Sequence, residues 1–102
     1  MHIDSGNMIL LSQNLDVVKT PEKFTERELT RAIRDAIIAE EGAIKQYEAV
    51  VDATDNEDVK KTLQSVADEE KVHVGELQKL LNDMLPDEEE YLDDGAKEVE
   101  DE

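Results

Sequence analysis

The sequence predicts an all-α protein: a two-helix antiparallel hairpin that becomes a four-helix bundle by homodimerisation. Three observations carry this. Two stretches of near-equal length place residues in alternating steps of four and three, the seam spacing of helices packed at a shallow angle. A turn of only a few residues joins them, which makes them antiparallel neighbours. A chain of 102 residues whose only aromatics are Phe24, Tyr47 and Tyr91 buries little apolar surface on its own, so self-association is expected.

Three segments follow along the chain. Residues 1–23 mix Met8-Ile-Leu-Leu11 with Ser, Asn, Gln and Gly without a sustained period, and read as an N-terminal arm that ends near Pro21. Residues 24–86 form the hairpin. Thr25-Glu-Arg-Glu28 fits a capping box, with Thr as N-cap and Glu three residues on. The first helix runs from there to about Thr54, with a seam of Leu29, Ile33, Ala36, Glu40, Ala43, Tyr47, Val50 and Thr54. Asp55 and Asn56 supply a turn and a second cap. The second helix covers roughly 57–85, with a seam of Val59, Leu63, Val66, Glu70, His73, Leu77, Leu80 and Met84, and Pro86 ends it. Residues 87–102 read as an acidic, mostly solvated tail, with at most a short amphipathic turn or two between Leu92 and Val99.

Composition excludes several function classes. The chain holds 28 acidic against 11 basic residues, for a net charge of −17. Nucleic-acid binding is not expected, because phosphate backbones require a cationic partner. Half of that charge falls on residues 86–102, with ten acids and one lysine, so the hairpin proper is only moderately acidic. The absence of cysteine excludes a disulfide scaffold, a thiolate zinc site and an iron–sulfur cluster. No apolar run approaches the roughly 20 residues of a membrane span, and no secretory pattern opens the chain, so a cytoplasmic setting is expected.

Three residues break the aliphatic seams: Glu40 in the first, Glu70 and His73 in the second. Counted from the turn at Asp55 and Asn56, all three reach about the same height at roughly 1.5 Å per residue. A carboxylate taken into a helical seam must be paired, protonated or metal-bound, and neither seam contains a lysine or arginine. A Glu-x-x-His on a helix is common and by itself usually an exposed pair. Its conjunction with a seam Glu at the same height is what points to metal. Four-helix carboxylate sites use a lone Glu from each of two helices and a Glu-x-x-His from each of the other two. This chain encodes half of that set, and a two-fold pair would supply four Glu and two His for two metal ions. Carboxylate plus imidazole without thiolate suits iron or manganese, with zinc as a competitor. Tyr47, seven residues after Glu40 on the same face, is placed to hydrogen-bond a ligand carboxylate or a bound oxygen species. Glu41 reads as either a solvated residue or a group supporting the ligands.

The stretches Ala39-Glu-Glu-Gly-Ala-Ile-Lys-Gln-Tyr-Glu48 and Asp68-Glu-Glu-Lys-Val-His73 resemble the rubrerythrin branch of the ferritin-like superfamily. The two-helix count makes the chain look most like the encapsulated ferritins, over residues 24–86. That resemblance implies a ferroxidase, oxidising ferrous to ferric iron with dioxygen at a di-iron site shared across a homodimer, two irons per dimer. Glu40, Glu70 and His73 match the ligands and Tyr47 the tyrosine beside the centre. It also implies a ring of five dimers, a decamer, housed in the shell of an encapsulin nanocompartment that stores the iron. The sequence departs from the family at Ala39 and Gly42, where members carry acidic residues that draw iron in, and it lacks the short peptide that loads cargo. Some relatives are fused to the shell protein instead, which leaves this chain readable as the front end of such a fusion. Two other functions stay open from the residues: a rubrerythrin-like di-iron peroxide scavenger, and a non-catalytic helical assembly module stapled by metal.

Overall fold

A computed structural model describes residues 22–101. The N-terminal arm expected over residues 1–23 lies outside them, apart from its last two positions. Helix α1 spans Glu26–Ala53 and opens on the expected capping box. The Glu28 backbone N–H donates to Thr25 Oγ1 at 3.1 Å, and the Thr25 N–H donates to Glu28 Oε1 at 2.9 Å. The Thr25 N–H, followed by its hydroxyl, holds the Glu28 carboxyl below its ordinary pKa. At the turn, Asn56 Oδ1 accepts from the Val59 N–H at 3.1 Å, while Thr54 Oγ1 accepts from the Asn56 N–H at 3.1 Å. These bonds satisfy donors that a helix start leaves open. Helix α2 then runs Glu57–Met84, and the Leu85 N–H closes its last turn on the Leu81 carbonyl. Pro86, which cannot continue the helix, ends it.

The hairpin forms as expected, but its closest contact runs one residue along from the seams read in the sequence. Thr30 and Ile44 on α1 and Ala67 and Leu81 on α2 are the buried positions, each pair two heptads apart. They are the neighbours of Leu29, Ala43, Val66 and Leu80. The seam residues Ile33, Ala36, Glu40, Ala43 and Tyr47, with Val59, Leu63, Val66, Glu70 and Leu77, are only half-buried, and Leu29, Val50, His73 and Leu80 are exposed. One residue is a rotation of about 100°. Each helix has an apolar face wide enough for two neighbours, and the partner helix occupies only one side of it. Thr30 is tolerated inside because its hydroxyl donates to the Arg27 carbonyl at 2.7 Å.

The acidic segment differs more from its reading. It forms a third helix, α3, over Glu88–Glu100, where a turn or two was expected. Glu88, Glu89 and Glu90 fill its first turn, where negative charge complements the helix dipole. Every other α3 residue is exposed; Glu88, the exception, is gripped by Arg34 of α1. The guanidinium donates from Nη1 to Oε2 at 2.9 Å and from Nη2 to Oε1 at 2.8 Å, the bidentate geometry that arginine provides. This bond lowers the Glu88 pKa and raises that of Arg34.

The result is thin and open. The Cα radius of gyration is 18.9 Å, with extents of 56 × 47 × 20 Å, whereas a compact domain of this length measures about 13 Å. Only Ile44, Ala67 and Leu81 are buried apolar residues among those described. No described helix is long and apolar enough to cross a membrane.

Leu81→Ala is expected to lower the unfolding free energy by about 2–5 kcal/mol as a cavity substitution, read by urea denaturation; a change below about 1 kcal/mol would place the hairpin contact elsewhere. The Arg34–Glu88 bond carries a pH dependence. The Glu88 pKa is depressed in the fold, so its contribution is complete above the ordinary carboxylate range and disappears as pH falls through the lowered value. Acidification and Arg34→Ala are both expected to speed amide exchange in the first turns of α3 while leaving the middle of α1 and α2 protected, with the pair worth about 1 kcal/mol at most.

Candidate metal centre

Glu40 is the fifteenth of 28 residues in α1 and Glu70 the fourteenth of 28 in α2. In an antiparallel pair those positions meet at mid-height. The i, i+3 step then puts His73 on the same face one turn away. The structure brings the three together as the sequence predicts: one ligand atom from each of Glu40, Glu70 and His73 lies within 4.8 Å of the others. Among the described residues they are the one such group of histidine and carboxylate side chains.

The geometry is that of a poised, unsatisfied cluster. His73 Nδ1 lies 3.4 Å from Glu70 Oε2 and 3.7 Å from Glu40 Oε2. Both separations are longer than a good charge-assisted hydrogen bond. Glu40 Oε2 is buried and has no hydrogen-bond partner, an expensive state for a carboxylate oxygen. Ligand atoms bound to one ion at about 2.0–2.2 Å lie roughly 3–3.5 Å apart when adjacent, close to the separations here. The residues therefore fit a carboxylate–imidazole metal site. No lysine or arginine bridges to Glu40 or Glu70 among the described residues. The nearest cation in sequence, Lys71, turns aside to Glu48 and Asp68, each at 3.2 Å, where it pins α1 to α2 beside the cluster.

The cluster is open on one side. The His73 side chain is 50% exposed, against 28% for Glu40, because it stands on the half-covered stripe that faces away from the hairpin contact. Tyr47 is half-buried on that stripe, two turns from Glu40. The polar contacts of the trio run between His73 and its two carboxylates and do not include the tyrosine hydroxyl. Glu41 is exposed and outside the cluster. At Gly42 a Cβ would meet nothing within 4 Å, so close packing within the chain does not account for a glycine there. Sequence reasoning missed the Lys71–Glu48 bridge: counted from the turn the two residues stand at different heights, and they meet because side chains lean toward the N-terminus of their own helix, which in an antiparallel pair brings these two toward one level.

Known proteins are similar to this chain in sequence and fold. A family model described as rubrerythrin matches residues 31–101. A ferritin-like–encapsulin shell fusion protein of Pyrococcus furiosus is 40% identical over 90 residues, covering 88% of this chain and 26% of the relative. An encapsulin nanocompartment cargo protein of Myxococcus xanthus is 48% identical over 67 residues, covering 66% of this chain and 52% of the relative. The chain thus spans about a quarter of the first and about half of the second. The crystal structure of the encapsulated ferritin domain from Pyrococcus furiosus superposes with a TM-score of 0.77 at 41% identity, covering 78% of this chain and 82% of that one. The chain belongs to the rubrerythrin family of ferritin-like proteins.

Proposed function

We propose that this chain is a ferroxidase half-site: two copies pair through the open stripe around Glu40, and the paired cluster oxidises ferrous iron for storage in an encapsulin shell. The observation that carries the reading is the buried, partnerless Glu40 Oε2 beside Glu70 and His73. The relatives' names, a ferritin-like–encapsulin fusion and an encapsulin cargo protein, support the storage setting.

Iron is the substrate here, and the chain's residues do three things for it. The two carboxylates favour the ferric product over the ferrous substrate, since each adds negative charge next to the ion. His73 offers an imidazole nitrogen, a ligand that suits iron alongside carboxylates. The aliphatic stripe around the cluster, with Leu63, Val66 and Leu77, excludes bulk water once a second copy covers it. Two ferrous ions give one electron each, and dioxygen takes the pair with two protons to become hydrogen peroxide. Tyr47 lies on the same stripe, two turns from the first ligand, where a phenol can donate a hydrogen bond. An open hairpin encloses no space for mineral, so the ferric product passes to a surrounding compartment.

The test is an anaerobic ferrous titration of metal-free protein, followed by air, recording iron bound per chain and oxygen consumed. About one iron per chain with prompt oxygen uptake is expected. Binding with oxidation by peroxide but not by dioxygen would instead make the chain a peroxide scavenger, and binding without oxidation a metal-stapled assembly module. Glu70→Ala is expected to lose iron oxidation while the metal-free fold stays no less stable in thermal melts, because one of two repelling carboxylates is gone; unchanged oxidation would remove Glu70 from the site. Leu63→Ala, on the open stripe, is expected to weaken pairing with or without metal, seen as a dissociation midpoint shifted to higher protein concentration.

A further inference from the structure

Four polar side chains beside the cluster join into one chain of bonds. Gln64 Nε2 donates to Asp68 Oδ1 at 3.0 Å, and Lys71 Nζ donates to the same oxygen at 3.2 Å. Lys71 Nζ also lies 3.2 Å from Glu48 Oε2. Gln64, Asp68 and Lys71 follow one another on α2 in steps of four and three, and the last link crosses to α1. Outside the trio itself, it is the one ion pair between α1 and α2 among the described residues.

Its placement suits a brace. Lys71 directly follows Glu70 and precedes His73 by two, whereas Glu48 directly follows Tyr47. Counted from Asp55 and Asn56, Lys71 stands at the height of Glu40, and Glu48 stands about two helical turns nearer the loop. The bridge therefore runs diagonally between the helices, and a diagonal tie resists sliding as well as separation. Both loads act here. Glu40 and Glu70 approach from facing helices and repel. The buried side chains flanking them give little grip, with Ile44 on one helix and the single methyl of Ala67 on the other. A metal site tolerates misplacement of its ligands by only about 0.5 Å. Stability does not explain the bridge, since its side chains are 49% and 45% exposed and such pairs add little to folding. Asp68, one turn back on the same helix, shares the ammonium, so the cation is engaged away from the site carboxylates.

We propose that Lys71 is a positioning residue for the candidate iron site: anchored on Asp68 and reaching across to Glu48, it sets the spacing of Glu40 on α1 from Glu70 and His73 on α2. The proposal rests on the ferroxidase reading above and concerns what holds the ligands in place. It differs in sign from a purely electrostatic role. A cation beside the cluster repels ferrous iron and an anion attracts it, so charge alone makes loss of Lys71 tighten binding and loss of Glu48 weaken it. A brace makes loss of either end weaken binding.

The experiment measures anaerobic ferrous binding, the oxidation rate in air and circular dichroism of the full chain. The variants are Lys71→Gln, Glu48→Gln and the exchange Lys71→Glu/Glu48→Lys. Both single variants are expected to weaken ferrous binding by about tenfold or more, the size typical of groups that support metal ligands, and to slow oxidation, with the helical signal unchanged. The exchange keeps the net charge and rebuilds the bridge in reverse, and it is expected to recover most of the loss. Either single variant binding as tightly as the original, or more tightly, overturns the proposal. So does a weakening in both that the exchange leaves unrepaired. An original chain that binds no ferrous iron overturns the ferroxidase reading and this proposal together, whereas bound iron with indifferent variants removes only the brace.

Discussion

The structure turns on one carboxylate oxygen. Glu40 Oε2 sits in the middle of a 28-residue helix, buried and without a partner, and a bare carboxylate in such a place opposes folding by several kcal/mol unless something neutralises it. His73 is 3.7 Å away and Glu70 adds a second acid to the same space. A sequence selected for stability alone would place Leu at 40, as it does at 63 and 77. The hairpin accepts the penalty because its register is fixed elsewhere, by the Thr25–Glu28 box and the Asn56 cap at the two helix starts and by the Lys71–Glu48 bridge beside the cluster. Local rules broken at one point and observed everywhere around it are the mark of a working site.

The second constraint is the meagre interior. Ile44, Ala67 and Leu81 are a small core for two helices of this length, and two packed helices expose on their outer sides what a four-helix bundle would cover. The half-buried stripe from Ile33 to Tyr47, with Leu63 to Leu77 opposite, is where that deficit is concentrated. The unsatisfied oxygen and the uncovered apolar surface lie on the same face. A second copy there would answer both at once, supplying apolar cover and the other half of the ligands, which is why the metal site and the pairing belong to one proposal.

What the sequence made legible was chemistry acting over one or two turns. A capping box, an Asx cap and a stopping proline set the ends of α1 and α2 within a residue, because each is a bond, or a missing N–H, between near neighbours. The trio was legible too, since counting outward from a short turn fixes relative height in antiparallel helices. The face turned toward the partner helix was not: the apolar arc is broad, and one position separates Ala43 from Ile44 and Val66 from Ala67, so spacing alone admits either. Helix α3 was hidden for another reason. Ten acids in seventeen residues look like a solvated run, yet three of them sit where the helix dipole welcomes them, and the bond that anchors the segment joins residues 54 positions apart.

Helix α1 shows how much a single period of 3.6 residues can separate. Toward α2 it presents Thr30 and Ile44, toward the open stripe Ile33, Glu40 and Tyr47, and on the far side its arginines. These sets interleave in sequence, with Arg34 between Ile33 and Ala36, yet they point in different directions and meet different neighbours. Charge follows the same division. The acids of the candidate site lie in the seam face, the surplus of negative charge sits on α3, and Arg34 ties the far side of α1 to α3 through Glu88.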